Sequence, residues 1–316
     1  MKYAIISDIH GNIDALLSVL KDAESFDVNK YIFVGDYCSN LHCPNKVVET
    51  IRGIKDKIIV KGNEEDYLIE YAKQDQRTWT DGQFQAFYWL YKNLTDSNHS
   101  YLGELTKSTT FVDGSTHITV THKSSDLYGD VEYKEFNSAS IAQKYQSGHT
   151  VRSKILHDIQ EYICSNNDFQ SAIQSLSEGI YICGHTHVQW HLQCKNRTFI
   201  NPGSCGLPLD GMQGAPYTIL NIEGNNIHIT EHRVQYDMDK LRHELISSDL
   251  YKNAPVWSGI TLEAIDTGYD RVQPFLHFAE EYADKINDHV RPYSVKTWTE
   301  AFSLWQEKQT EMLLLH

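Results

Sequence analysis

The chain has 316 residues, 41% of them apolar, and a formal net charge of −14. No apolar run approaches the roughly 20 residues of a membrane span, and the acidic balance disfavours general binding to a nucleic-acid backbone, because like charges repel. An anionic substrate would need a local cationic centre.

The opening Met1–Ser7 is too short and too soon ended by Asp8 to serve as a signal peptide, so the expectation is a cytoplasmic protein and a first β-strand. Short runs rich in Ile, Val and Tyr at Lys2–Ser7, Lys30–Val34 and Lys57–Lys61 read as strands. Between them, Ile13, Leu16, Leu17 and Leu20 fall at helical spacing, and Pro44 opens a second helix through Val47, Val48 and Ile51. This alternation predicts parallel βαβ units with functional loops at the carboxyl ends of the strands. Tyr67 to Leu105 reads as helical and aromatic, a layer packed on the core rather than a base-stacking platform, since no basic run is interleaved. A hairpin follows over Thr109–Asp113 and His117–His122, then a helical stretch over Glu132–Ser177 broken by Gly148. Short strands are expected at Ile180–Cys183, Gln189–Cys194, Arg197–Asn201, Tyr217–Ile222 and Ile227–His232. Beyond Arg233 the pattern is helical, with breaks near Pro255, Pro274 and Pro292. The expected organisation is a domain over 1–232 with helical inserts at about 67–107 and 132–178, followed by a helical extension over 233–316.

Six loops follow predicted strands and carry groups suited to metals or phosphates. They are Asp8-Ile9-His10-Gly11-Asn12, Gly35-Asp36, Gly62-Asn63-Glu64, His122, Gly184-His185-Thr186-His187 and Asn201-Pro202-Gly203-Ser204. Singly, most are ordinary turns or caps; together, each on its own strand end, they make a case. A two-metal hydrolase needs a bridging carboxylate between cations ~3.5–4 Å apart. Mixed imidazole and carboxylate donors suit Mn, Fe or Zn rather than Mg or Ca. Two divalent cations, less Asp8, Asp36 and one hydroxide, leave about one positive charge in the site, the cationic centre the acidic chain requires.

The pattern resembles the calcineurin-like metallophosphoesterase superfamily, and within it the small bacterial branch grouped with diadenosine tetraphosphatase-like phosphoesterases. The resemblance runs from Met1 to about His232. It implies an α/β fold, a four-layer α/β/β/α sandwich. Asp8, His10, Asp36 and His187 would hold one metal. Asp36, Asn63, His122 and His185 would hold the other. The cofactor expected is two divalent ions, manganese first, with iron or zinc as alternatives. Asp36, Asn63 and His122 are the candidate catalytic residues. The expected reaction is in-line attack on a phosphodiester or phosphoanhydride, dinucleoside polyphosphates included, by metal-bound hydroxide. The expected partner is a small anionic phosphate compound, a nucleotide among the candidates, with no membrane. Two alternatives stay open: a serine/threonine-type protein phosphatase, and a non-catalytic binding scaffold on the same fold.

Three positions depart from the family pattern. Glu64 stands where a proton-donating His is frequent, Lys123-Ser124-Ser125 follow His122 in place of Gly-Ser-Pro, and Pro208-Leu209-Asp210 replaces Pro-Arg-Asp. Glu64 beside two cations is expected to be ionised and so unable to protonate a leaving group. His191, His228 and His232 read as structural. Lys61, Lys123, Arg152 and Lys154 are weak candidates for phosphate contact. The Cys38–His42–Cys43 cluster lacks a second ligand pair at zinc-knuckle spacing.

Overall fold

The computed structural model describes residues 1–128, Ile141, Lys144 and 152–314. Two five-stranded mixed sheets form its centre. In the first, β1 (Lys2–Ile6), β2 (Lys30–Phe33) and β3 (Lys57–Ile59) run parallel, and the antiparallel pair β9 (Ala215–Glu223) and β10 (Asn226–Val234) completes the order β10-β9-β1-β2-β3. In the second, β4 (Ser108–Asp113), β5 (Thr116–Thr121), β6 (Gly179–Ile182), β7 (Gln189–Cys194) and β8 (Arg197–Pro202) take the order β4-β5-β6-β8-β7, with β5, β6 and β8 parallel.

Side-chain alternation along each strand creates the layers. On β1, Tyr3 and Ile5 face the second sheet, where they join Ile32, Val34, Val120, Ile180, Ile182 and Ile200 in the core between the sheets. Ala4 and Ile6 face the other way, onto α1 (Ile13–Glu24) and α2 (Pro44–Gly53), packing with Leu16, Val19, Val47 and Ile51. On β6 and β8, Tyr181 and Phe199 point outward to Ile155, Ile159, Ile163 and Phe169, carried by the helices Arg152–Ser165 and Asn167–Gln174. The result is helices, sheet, sheet, helices, as the sequence implies. The first part of the expected Glu132–Ser177 helical stretch, including the break at Gly148, lies outside the described residues.

The aromatic stretch is helical over α3 (Asn63–Tyr71), α4 (Gln85–Asn93) and α5 (Asp96–Glu104). Its packing on the core holds only in part. Tyr88, Trp89 and Leu90 are buried, whereas Tyr67 and Phe84 are 48% and 39% exposed.

After β10 come the helices Met238–Ser247, Asp249–Asn253, Pro255–Thr267, Val272–Lys285 and Val295–Leu314. Leu241 and Leu245 enter the same apolar cluster as Ala4 and Ile6, while Phe275, Tyr293, Trp298 and Trp305 form a separate aromatic centre. Leu304, whose burial the hydrophobic pattern suggests, is 40% exposed. Pro274 sits in the first turn of its helix, where a missing N–H costs nothing, so the break lies before Val272. Among the described residues, no helix is long and apolar enough to cross a membrane.

Candidate metal centre

The strand ends gather the expected residues at one edge of the two sheets. Asp8, His10 and His187 offer ligand atoms all within 4.8 Å of one another, and so do Asp36, His122 and His185. His10 Nε2 and His187 Nε2 are 3.0 Å apart, and Asp8 Oδ1 lies 3.3 Å from His187 Nε2. His122 Nε2 is 3.2 Å from Asp36 Oδ2 and 3.9 Å from Asp8 Oδ1. The Asp8 carboxylate therefore stands between the two groups. Asp36 also closes a third group with His10 and Glu64, which places it beside both.

The imidazoles are oriented from behind. His187 Nδ1 donates to the Leu207 carbonyl at 2.7 Å, and His122 Nδ1 to the Val34 carbonyl at 2.6 Å. A ring that donates from Nδ1 turns a lone pair at Nε2 into the site. His10 Nδ1 lies 3.0 Å from Ser39 Oγ and 3.1 Å from Asn40 Nδ2. Within the centre, Asp8 Oδ1 and Glu64 Oε2 are buried with no hydrogen-bond partner among the described residues, and so is Asn63 Oδ1 at the start of α3. Converging lone pairs with orphaned oxygens are costly unless a cation sits among them. The residues present fit a divalent metal.

The charge balance agrees. Burial acts to lower the pKa of His122, but Asp36 and Asp8 outweigh it and lift the ring to about 10. Burial likewise works against His10, and Glu64 with Asp36 raises it to about 9. Burial pushes Asp8 up, yet His122 and His187 hold it below the usual carboxylate range. A field that attracts protons this strongly attracts a divalent cation by the same means. His185 is the exposed member of the set by area. Its ring nonetheless loses hydration inside the concave rim, and that loss, followed by His122, lowers it to about 4.

The backbone is shaped for this purpose. Asp8, His10, Asp36, His185 and His187 hold left-handed φ angles of 51°, 53°, 55°, 69° and 60°, a region most side chains avoid. Two glycines permit the close approach. A Cβ on Gly62 would lie 2.0 Å from Asp36 Oδ1, and one on Gly184 would lie 2.1 Å from Ser7 Oγ and 2.6 Å from Asp8 Oδ2.

The sequence reading missed the bracing residues. Glu65, fully buried, accepts from the N–H groups of Gly62, Asp36 and Tyr37 at 2.7, 3.0 and 2.9 Å, tying the loops after β2 and β3 together. Burial, then Asp36, lifts its carboxyl to about 7 against those three donors. The run of acids that opens α3 was the available signal. The Asn201–Ser204 loop turns out to brace rather than to face the centre. Asn201 Nδ2 donates to the Gly184 carbonyl at 2.8 Å, and Ser204 Oγ to the Asp8 carbonyl at 2.6 Å.

Several of the weaker candidates have other partners. Lys61 pairs with Asp66 at 2.8 Å. Arg152 bonds to Asp210 at 2.6 Å, to Glu231 at 3.0 Å and to the Gln189 carbonyl. Lys154 lies 4.0 Å from Asp158. His191 pairs with Glu231, and His232 stacks on Tyr217. His42 lies 3.5 Å from Glu244, and Cys38 and Cys43 are free thiols.

Two facing sheets flanked by helices, with an Asp/His cluster on the strand ends, define a metal-dependent phosphoester hydrolase. The chain belongs to the calcineurin-like phosphoesterase superfamily: the model described as "Calcineurin-like phosphoesterase superfamily domain" matches residues 1–225. An uncharacterized protein of Methanocaldococcus jannaschii is 25% identical over 271 residues, 81% of this chain and 95% of that one. Among solved structures, a metallophosphoesterase from Sphaerobacter thermophilus superposes with a TM-score of 0.59 at 22% identity, covering 85% of this chain and 100% of its own. A hypothetical protein from Pyrococcus horikoshii gives 0.61 at 15% identity, covering 82% and 97%. Both likenesses concern the fold.

Proposed function

We propose that the chain hydrolyses a phosphodiester or phosphoanhydride, dinucleoside polyphosphates among them, with two divalent cations, manganese ahead of iron or zinc. Asp8, His10, Asp36 and His187 would hold one cation, and Asp36, Asn63, His122 and His185 the other. The observation that carries this reading is the convergence of three imidazole Nε2 atoms on the orphaned Oδ1 of Asp8, with Asp36 beside them. When bound, such cations lower the pKa of a water and draw charge from phosphoryl oxygens. The side chains do the rest. Asp36 sits beside both donor groups and screens the repulsion between their charges. Asn63 offers an oxygen to the centre and an amide NH₂ to the phosphate. The carbonyls of Val34 and Leu207 lock the tautomers of His122 and His187.

Glu64 bears on the substrate. Burial raises its carboxyl and His10, whose Nδ1 lies 3.5 Å from Oε2, acts to lower it; with cations beside it Glu64 would be ionised and would replace a proton donor of the family pattern with a group that accepts. Leaving groups that depart without a proton are then favoured, which ranks aryl diesters and anhydrides above alkyl monoesters such as phosphoserine. The six free cysteines suit a reducing, cytosolic setting. The test is metal analysis of the purified protein together with turnover of bis(4-nitrophenyl) phosphate, diadenosine tetraphosphate and phosphoserine in manganese. About two metals per chain and steep preference for the first two substrates are expected. A metal-free, inert protein, or equal rates on all three, would overturn the reading. The Glu64→His variant should narrow the preference.

A further inference from the structure

Beside the metal centre lies a cleft of about 390 Å³. Its walls are Tyr67, Tyr71, Phe84, Phe87 and Trp257, and its inner edge is Glu64. Glu64 also belongs to the donor group with His10 and Asp36, so cleft and centre share a wall. The aromatic side chains come from α3, α4, the segment before α4 and the helix Pro255–Thr267.

We propose that this cleft takes a flat, uncharged aromatic group one ester bond away from the phosphorus held at the metals, an aryl or nucleobase-bearing leaving group. The proposal rests on the hydrolase reading above and names its substrate class. Three observations support it. First, the walls are aromatic but not packed shut. Tyr67 and Phe84 leave 48% and 39% of their surface in solvent, an exposed apolar surface of the kind that marks a binding site. Second, the rings are held at working angles by their neighbours. Tyr71 lies 4.9 Å from Phe87, centroid to centroid, at 31°. Trp257 Nε1 donates to Asn40 Oδ1 at 2.7 Å, so the indole cannot swing away. Third, the charge is wrong for anything anionic. Among the described residues, no lysine or arginine lines the cleft, and Glu64 guards its metal-side edge. A phosphate chain would find no cationic partner there, so the phosphate is left to the cations and the neutral ring to the cleft. By the same argument the second nucleotide of a dinucleoside polyphosphate would extend elsewhere.

The test compares equilibrium binding of phenylphosphonate and methylphosphonate to the manganese-loaded protein by calorimetry, in wild type, Tyr67→Ala and Phe84→Ala. Both side chains are exposed enough for the variants to fold, and thermal melts check this. Wild type should prefer the phenyl ligand. Each variant should reduce the phenyl-to-methyl affinity ratio by about 2- to 10-fold, as the loss of one ring contact implies. Trp257→Ala serves as a second probe and should reduce the ratio in the same direction. Equal affinities in wild type, or ratios unchanged in all three variants, would overturn the cleft assignment. Hydrolysis of bis(4-nitrophenyl) phosphate is followed in parallel. Phenyl preference without turnover would sink the hydrolase reading and leave the cleft standing. Turnover without phenyl preference would do the reverse.

Discussion

Trp257 Nε1 donates to Asn40 Oδ1 at 2.7 Å, across a sequence separation of 217 residues. The same Asn40 side chain lies 3.1 Å from His10 Nδ1 through its Nδ2. The C-terminal helices thus reach the metal centre through a single amide.

Trp257→Phe keeps a ring in place and removes the donor. It should cost about 1 kcal/mol, the net worth of one hydrogen bond, read as a lower midpoint in urea. A chain cut after Tyr236 should fare much worse. Leu241, Leu245 and Leu250 fill the same cluster as Ile6 and Leu16, and their loss would expose that surface. Aggregation during gel filtration is expected; a monomeric, fully active truncation would show the helices to be dispensable.

Asp36→Asn tests the bridge. Removing its charge leaves two cations less screened from each other. Bound metal should fall well below two per chain, and kcat by several orders of magnitude. Plasma mass spectrometry on the purified variant reads the first, and near-native metal content with near-native kcat would remove Asp36 from this role.

Gly62→Ala and Gly184→Ala test the close approach. Each adds a methyl group that overlaps Asp36 Oδ1 or Ser7 Oγ at about 2 Å. Metal content and kcat should both collapse, by roughly 100-fold or more in rate, which is about 2.7 kcal/mol or more at the barrier. Gly103→Ala is the control. It lies in α5 with nothing within 4 Å of the added atom, and should stabilise by up to about 1 kcal/mol through helix propensity.

Arg152→Met tests the anchor behind β7. The guanidinium serves Asp210, which is fully buried, and Glu231. Arg233 also reaches Asp210 at 2.6 Å, so the carboxylate keeps one cation and the variant should lose about 1.5 to 3 kcal/mol, the worth of a hydrogen bond to a charged group. Burial acts to raise the Glu231 carboxyl, but His191 and Arg152 hold it below its usual value. A carboxylate depressed in the folded state adds stability above its unfolded pKa of about 4.3 and gives it up as pH falls below that. Wild type should therefore lose stability between about pH 5 and 3, and Arg152→Met should lose less over the same window. Parallel slopes in the two proteins would show that Arg152 does not tune Glu231.

The strands β1, β2, β3 and β6 were legible because each is a short apolar run stopped within three residues by Gly or Asp, and those stops are the site loops. Ile5, Ile32 and Ile180 had to be buried somewhere, and two facing sheets are where such runs meet. Pairing β9 beside β1 was not legible, since nothing in Tyr217–Ile222 names a partner more than 200 residues earlier; Tyr3 opposite Leu220 is a tertiary fact. The same holds for Asn40 and Trp257, whose residue types are ordinary in a loop and a helix. Glu65 was visible only as one acid among three. Its three backbone bonds arise because the loops after β2 and β3 are brought side by side by parallel pairing. The aromatic stretch was misjudged in part because helical spacing places rings on a face but does not say whether that face is covered.

Five residues of the centre sit in left-handed backbone, at a cost of roughly 1 kcal/mol each. That unfavourable energy is concentrated in the rim, while the strands beneath are regular and hydrogen-bonded on both sides. Cations bound there would add to the charge that His10 and His122 already set against Asp8, Asp36 and Glu64, so the rim is expected to be the first part of the molecule to slacken when they leave. Amide exchange in those loops then follows cation occupancy while the sheets stay quiet. The backbone of that rim would then serve as a gauge of how fully the protein is charged with metal.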